Sequence, residues 1–110
     1  MPDHDDFWRV QGLVDAWTQH TKMCSRSRYT RSVYAYFTPG MDRLLYVGKA
    51  AYPKDREKQH RKKSPWCSAD CVVVNWPMCC DSHGRGLEGF LIFMLKPENN
   101  IAGKRVSAWY

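Results

Sequence analysis

Apolar residues near the start of the chain follow a helical period. Over residues 5–22 large apolar residues recur three or four positions apart, and most of the positions between them are polar. The apolar positions are Phe7, Val10, Leu13 or Val14, and Trp17. This pattern predicts an amphipathic helix whose apolar face packs on the rest of the protein.

The next two apolar segments have the composition of β-strands. Residues 33–37 and 43–47 are rich in β-branched and aromatic side chains, and Pro39 and Gly40 lie between them. Because proline and glycine favour tight turns, the two segments are predicted to form a β-hairpin.

The register of this hairpin decides where its two tyrosines lie. A three-residue loop over 39–41 would place Tyr34 directly opposite Tyr46, with their Cβ atoms about 5 Å apart. The two phenols would then converge on one spot. A β-bulge would shift the register by one position and turn one ring to the other face.

The second half of the chain contains two more predicted helices and one more strand. Pro53 suits the first turn of a helix over 53–62. Residues 72–76 indicate a well-buried strand that Pro77 would stop. A nearly unbroken apolar run then predicts a core helix that ends at Pro97.

These elements predict an α/β fold of the α+β type: a small, largely antiparallel three-stranded sheet flanked by helices, with an extra N-terminal helix. The 110 residues suffice for one hydrophobic core but not for two. We assign residues 1–31 to an N-terminal helical extension packed on the main domain, with a polar, basic loop over 24–32. Residues 32–110 form the main domain.

Composition places the protein in a soluble class. Apolar residues make up 44% of the chain, which favours a folded globule over a disordered tail. No apolar run reaches the length of a membrane-spanning helix, and the first residues are acidic rather than basic as in a signal peptide. We therefore expect no membrane partner and a cytoplasmic location.

Positive charge is concentrated in one segment. The net charge of the chain is +6, and residues 23–63 alone carry eleven basic and three acidic side chains. Such a segment attracts polyphosphate, and Arg61, Lys62 and Lys63 are predicted to hold a nucleic-acid backbone without reading bases. The alternative is a solvated basic face that serves solubility.

The cysteines indicate thiols rather than disulfides, since their count of five is odd and the chain lacks a secretory signal. Thiols and an imidazole can hold zinc, but the spacing is not the paired form typical of zinc sites. Buried, inert thiols are the expected state. The relevant residues are Cys24, Cys67, Cys71, Cys79, Cys80 and His83.

Glu88 is an isolated acid inside the apolar run of the last helix. A buried carboxylate needs a cation, a hydrogen-bond network or a raised pKa. Arg85, three residues earlier, could pair with it. A divalent metal is the functional alternative, and a carboxylate with waters suits Mg²⁺.

Arg56 and His60 stand four residues apart on the predicted helix over 53–62, so they share one face. Each of them, like Tyr34 and Tyr46, is an ordinary surface or strand residue when viewed singly. Phenol, guanidinium and imidazole together are groups that metal-assisted cleavage of a phosphodiester requires.

The order and spacing of these residues resemble the GIY-YIG nuclease family. Ser32-Val33-Tyr34 corresponds to the first tripeptide of the family and Tyr46-Val47-Gly48 to the second, with Lys49 continuing the strand. Arg56, ten residues after Tyr46, and then His60, Glu88 and Asn100 follow in the family's order. The match spans residues 32–100, while Ser32 and Val33 replace the glycine and isoleucine of the first tripeptide.

The resemblance implies a Mg²⁺-dependent endonuclease that hydrolyses DNA by a one-metal mechanism, with Mn²⁺ able to substitute. By analogy, Glu88 would hold the metal, Arg56 would bind a phosphate oxygen and a tyrosine would activate water. His60 would relay a proton or orient a tyrosine, Lys49 would contact DNA, and Gly48 and Asn100 would support the site.

Two other functions fit the sequence. One is a non-catalytic nucleic-acid-binding module that keeps the nuclease fold, and the other is a small zinc-stabilised interaction protein. RNA is left open as a substrate, and a homodimer or a partner protein could supply specificity. A phage-borne or mobile-element nuclease, a restriction system and a repair factor all fit the same residues.

Overall fold

The structure is a computed structural model that describes residues 5–22 and 31–100. In these two ranges it has three helices and one three-stranded antiparallel sheet, which confirms the predicted α+β class. The elements in chain order are α1 (Asp5–His20), β1 (Arg31–Phe37), β2 (Leu44–Ala50), α2 (Pro53–Lys63), β3 (Val72–Met78) and α3 (Asp81–Leu95). None of the described helices is long and apolar enough to cross a bilayer.

Strand β1 lies in the centre of the sheet, in the order β2-β1-β3. Side chains alternate between the two faces of a strand, so Val33, Ala35 and Phe37 face one side and Tyr34 and Tyr36 face the other. The first set packs in an apolar core with α1 and α3, and the second set packs in a separate cluster beneath α2. The two faces of the sheet therefore differ in chemistry.

The predicted register of the hairpin is wrong by two positions. Tyr34 pairs with Gly48, and Tyr46 pairs with Tyr36. The turn is one residue longer than predicted, since the Thr38 amide bonds the Arg43 carbonyl, and a bulge beside Phe37 adds a second offset. An even offset preserves the face, so both phenols still lie on the same side of the sheet.

One further local prediction, that of strand β3, is corrected by the structure. In the turn before β2, Met41 has a positive φ of 61°. Strand β3 is a half-buried edge strand rather than a well-buried one, and it continues through Pro77 to Met78. Pro77 is tolerated because proline within a sheet is confined largely to edge strands.

Helix α1 shares its core with the main domain. Val10 and Val14 on α1 pack with Leu87 and Leu91 on α3 in the core that also contains one face of the sheet. The predicted boundary between residues 31 and 32 falls inside β1. Most of the predicted loop over 24–32, and the C-terminal end of the chain beyond Asn100, lie outside the described residues.

Candidate active site

Four rings meet on the face of the sheet beneath α2. His60 on α2 contacts Tyr34 and Tyr46, with ring centroids 5.7 and 4.9 Å away. Trp66, in the loop after α2, stacks on Tyr46 at 4.9 Å with an interplanar angle of 20°. Tyr34 and Tyr46 lie 6.2 Å apart on neighbouring strands. The sequence-predicted phenols and imidazole are thus brought together.

Gly48 is required by the ring of Tyr34. A Cβ atom added at Gly48 would come within 2.5 Å of the Tyr34 hydroxyl oxygen and 2.6 Å of its ring. Since real Cβ atoms do not approach other atoms so closely, any side chain at position 48 would displace Tyr34. The absence of a side chain at position 48 therefore leaves room for the ring of one candidate catalytic phenol, which lies on the neighbouring strand.

His60 holds Tyr34 through a buried hydrogen bond. The Nε2 atom lies 2.9 Å from the Tyr34 hydroxyl, and Nδ1 lies 3.1 Å from the hydroxyl of Ser64. Burial, reinforced by the charge of Arg56, lowers the pKa of His60 to about 4. The imidazole is therefore neutral at physiological pH, and it orients Tyr34 without carrying charge.

Burial raises the pKa of both candidate phenols above the ordinary value. The charge of Glu88 raises both pKa values further, whereas Arg56 lowers them. Glu88 and Arg56 are therefore electrostatic neighbours of both phenols. Either phenol could ionise near neutral pH only if additional positive charge reached this site.

Glu88 is a buried acid without a partner among the described residues. Its side chain is 3% exposed, and its Oε2 atom makes no hydrogen bond. Burial raises the pKa of this carboxyl to about 8. The expected ion pair with Arg85 does not form, because Arg85 bonds Asp81 at 3.1 Å on the same helix.

A positively charged cleft with a volume of about 320 Å³ lies beside the end of β2. It contains Arg56 from α2 and Lys49 from β2, together with the start of α3. The guanidinium of Arg56 makes no ion pair with any described residue, so its donors remain available to a phosphate oxygen. Neither the two phenols nor Glu88 line this cleft.

Asp81 organises the cations around this cleft. Its carboxylate bonds Lys49 at 2.8 Å and Arg31 at 3.2 Å, and it also bonds Arg85. These hydrogen bonds lower the pKa of Asp81, with that from Lys49 contributing most. Lys49 is thus held at the cleft by α3, which is also the helix that carries Glu88.

Asn100 braces the strand that carries Tyr46. Its side-chain carbonyl accepts from the Val47 amide at 2.8 Å, and its side-chain amide donates to the Val47 carbonyl at 2.9 Å. The neighbouring Asn99 bonds the Leu45 carbonyl. Asn100 therefore supports the strand position rather than reaching the phenols.

The basic residues at the end of α2 divide into two kinds. The Arg61 guanidinium bonds Glu57 at 2.9 Å and donates to three backbone carbonyls of the loop over 68–71. Because these bonds engage it internally, we remove Arg61 from the predicted nucleic-acid-binding set. Lys62 and Lys63 are exposed and can still contact phosphate.

Sequence reasoning missed three residues that shape the site. Tyr36, two positions after Tyr34, faces His60 at 5.4 Å, and its buried hydroxyl makes no hydrogen bond. Period-two alternation along β1 would have identified it. Nothing in the sequence signals that Trp66 stacks on Tyr46, or that Asp81 collects cations from two strands.

The residues present fit one hard divalent cation at Glu88. Its buried Oε2 atom makes no hydrogen bond to a described residue, and burial raises the pKa of the carboxyl. Magnesium is commonly held by one or two carboxylates, waters and substrate phosphates. Because Lys49, Arg56 and Arg85 also act on Glu88, metal affinity should depend on the charge that a bound phosphate supplies.

Comparison with known proteins finds no matching family model, no matching curated protein and no matching solved structure.

Proposed function

We propose that this protein is a divalent-metal-dependent endonuclease that hydrolyses phosphodiester bonds of DNA. The observations that carry this proposal are the ring cluster of Tyr34, Tyr46 and His60 and the buried Glu88 carboxyl, whose Oε2 atom makes no hydrogen bond to a described residue. Glu88 is a buried acid that acts on both tyrosines, and Arg56 acts on the same two tyrosines and on Glu88. Structural stability alone gives no reason for a buried acid without a partner.

The cleft supplies the binding step. Arg56 presents guanidinium donors to a non-bridging phosphate oxygen, and Lys49 adds positive charge beside it. Lys62 and Lys63 extend the positive surface along the last turn of α2. These contacts do not depend on base identity, so they favour the backbone of a nucleic acid over a particular sequence.

Tyr46 is the better candidate for the phenol that faces the attacking water. It is half-buried, and its hydroxyl makes no hydrogen bond to a described residue. Tyr34 is 2% exposed, and its hydroxyl is held by His60. We assign Tyr46 to proton removal from water, and Tyr34 with His60 to positioning.

The metal is Mg²⁺, with Mn²⁺ able to substitute, and Glu88 would hold it. When bound, it would polarise the phosphate and stabilise the departing oxygen. A positive charge beside Glu88 also removes that carboxylate's effect on the phenols. The pKa of Tyr46, which burial raises most, would then be lower.

Nicking of a supercoiled plasmid tests the proposal. The wild-type protein should nick DNA in buffer containing Mg²⁺ or Mn²⁺ but not in buffer without divalent metal ions. Glu88→Gln should lose cleavage by about 10²–10³-fold while retaining the fold. Arg61→Lys is a matched control, because Arg61 holds a loop outside the cleft.

Two outcomes would contradict the proposal. Equal nicking by wild type and Glu88→Gln would exclude a role for the buried acid. DNA binding without cleavage by the wild type would favour a non-catalytic module that keeps the same cleft. An RNA substrate of equal length, added in parallel, distinguishes a DNA enzyme from a general phosphodiesterase.

A further inference from the structure

Two thiols and an imidazole converge at the junction between β3 and α3. The Nδ1 atom of His83 lies 3.2 Å from the sulfur of Cys79 and 3.1 Å from the sulfur of Cys80. All three donor atoms lie within 4.8 Å of one another. Cys79 is buried, and the other two side chains are half-buried. This cluster lies outside the proposed catalytic residues.

The tautomer of His83 is fixed by its second nitrogen. Nε2 lies 3.0 Å from the backbone carbonyl of Lys22, and a carbonyl oxygen can only accept a hydrogen bond. Nε2 therefore carries the proton, and the lone pair of Nδ1 points toward the two sulfurs. A ligating histidine typically has this arrangement, with its other ring N–H donated to a carbonyl or carboxylate.

The Nδ1 lone pair faces both sulfurs at once. A neutral imidazole nitrogen accepts a hydrogen bond along one direction, so only one of the two thiols can donate to Nδ1. A cation between the three atoms would bind all of them at once. Tetrahedral zinc with its usual bond lengths sets sulfur and nitrogen about 3.6 Å apart, which requires an opening of a few tenths of an ångström.

We propose that Cys79, Cys80 and His83 bind one Zn²⁺ ion as three of its four ligands, with water in the fourth position. Thiolate and imidazole ligands select zinc over the hard cation expected at Glu88. Binding replaces the protons of the two thiols, so about two protons leave for each zinc bound, and His83 contributes its existing lone pair. This inference does not rest on the proposed nuclease function.

The site would join three parts of the fold. Cys79 and Cys80 follow β3 directly, His83 lies in the first turn of α3, and the His83–Lys22 bond reaches the segment after α1. The ring of Trp17 on α1 also meets the His83 ring edge-on at 6.2 Å. A metal here would therefore fix the start of α3, including the neighbouring Asp81 that gathers the cleft cations.

Metal content of the full-length protein is the first test. Wild type purified without chelator should contain about one zinc per chain, and Cys80→Ser with His83→Gln should contain far less. Cys71→Ser is the matched control, because serine can keep the contacts of Cys71 with the Ser68 hydroxyl and the Trp66 carbonyl. This control should retain wild-type zinc.

A second test needs no variant, so it remains decisive if the substitutions prevent folding. Reduced, metal-free wild type titrated with Co²⁺ should gain the near-ultraviolet charge-transfer band of thiolate ligation, and Zn²⁺ should abolish it. Weakly buffered titration with Zn²⁺ should release about two protons per chain. A wild type without zinc, charge-transfer band or proton release would overturn the proposal, as would unchanged zinc uptake by the double variant.

Discussion

The two faces of the sheet have opposite chemistry although one set of strands supplies both. Toward α1 and α3, Val33, Phe37, Leu87 and Leu91 form an apolar core. Toward α2, tyrosines contact the rings of His60 and Trp66. The Tyr34 hydroxyl is hydrogen-bonded to His60, whereas the Tyr46 hydroxyl makes no hydrogen bond to a described residue. The first face stabilises the fold. The second carries polar groups that a purely structural face would not need.

Glu88 is buried on α3, the helix that packs against the apolar face. It belongs to the helix of the apolar core, yet its charge acts on the phenols of the other face. Arg56 on α2 acts on Glu88 and on the phenols alike. The difference between the faces indicates that stability and chemistry can be changed separately by substitution. The following predictions use that separation.

The largest expected effect is on the apolar face. Leu91→Ala should lower the free energy of unfolding by about 2–5 kcal/mol, because it leaves a cavity in the core cluster that also contains Val10 and Val33. Urea denaturation measures the change. Phe93→Ala is the matched control, since Phe93 is exposed on the same helix, and it should cost much less. Equal losses in both would contradict the core assignment.

The next effect concerns Glu88 and is opposite in sign for activity and stability. The carboxyl of Glu88 has a pKa of about 8 in the folded protein, against an ordinary value of 4.5. The stability that this difference contributes is therefore fully present below pH 4.5 and is lost as the pH rises through 8. Without added divalent metal, Glu88→Gln should remove this loss and be more stable than wild type by about 1–3 kcal/mol near pH 9.

Chemical denaturation of both proteins near pH 5 and near pH 9 checks this prediction. All other titrating groups are shared, so the difference between the two pH profiles isolates Glu88. If the stability of the two proteins changed with pH in the same way, Glu88 would have an ordinary pKa in the folded protein, which would contradict this prediction.

A smaller effect is expected where strands β1 and β2 meet beneath α2. Gly48→Ala should displace the Tyr34 ring, cost about 1–3 kcal/mol and reduce cleavage. Gly89→Ala is the control, because an added Cβ at Gly89 meets nothing within 4 Å. The control should instead gain up to about 1 kcal/mol from improved helix propensity. Thermal unfolding and plasmid nicking report both effects.

The smallest effect is expected at the exposed lysines after the cleft. Lys62→Ala with Lys63→Ala should weaken DNA binding uniformly across sequences and reduce the dependence of affinity on salt by about two counterions. Folding stability should not change measurably. Fluorescence anisotropy at several salt concentrations tests this, and an unchanged salt slope would place the DNA elsewhere.

The sequence predicted the elements well because their signals are local. Helical spacing in α1, the Pro39-Gly40 turn and the proline at the start of α2 each act over a few residues. The register of the hairpin failed because turn length and a bulge together set it, and neither leaves a local signal at Tyr34 or Tyr46. The two tyrosines still lie on the same face of the sheet, because the longer turn and the bulge each shift the register by one residue and the total shift is even.

The candidate site was predictable in composition but not in arrangement. The order of Tyr34, Tyr46, Arg56, His60 and Glu88 was visible in the sequence, and the structure brings the rings of Tyr34, Tyr46 and His60 into contact. What could not be foreseen is the partner choice of the arginines, since Arg85 bonds Asp81 and Arg61 holds a loop. Such choices depend on tertiary distances, which no pattern of residue types encodes.

A double-substitution cycle on DNA cleavage tests most directly whether Glu88 and Tyr46 belong to one catalytic site. Single-turnover rates would be measured for wild type, Tyr46→Phe, Glu88→Gln and the double variant. If both residues act in the same step, the rate of the double variant should be within about threefold of the rate of the slower single variant. If the two losses multiply in full, the acid and the phenol act independently and the proposed site is wrong.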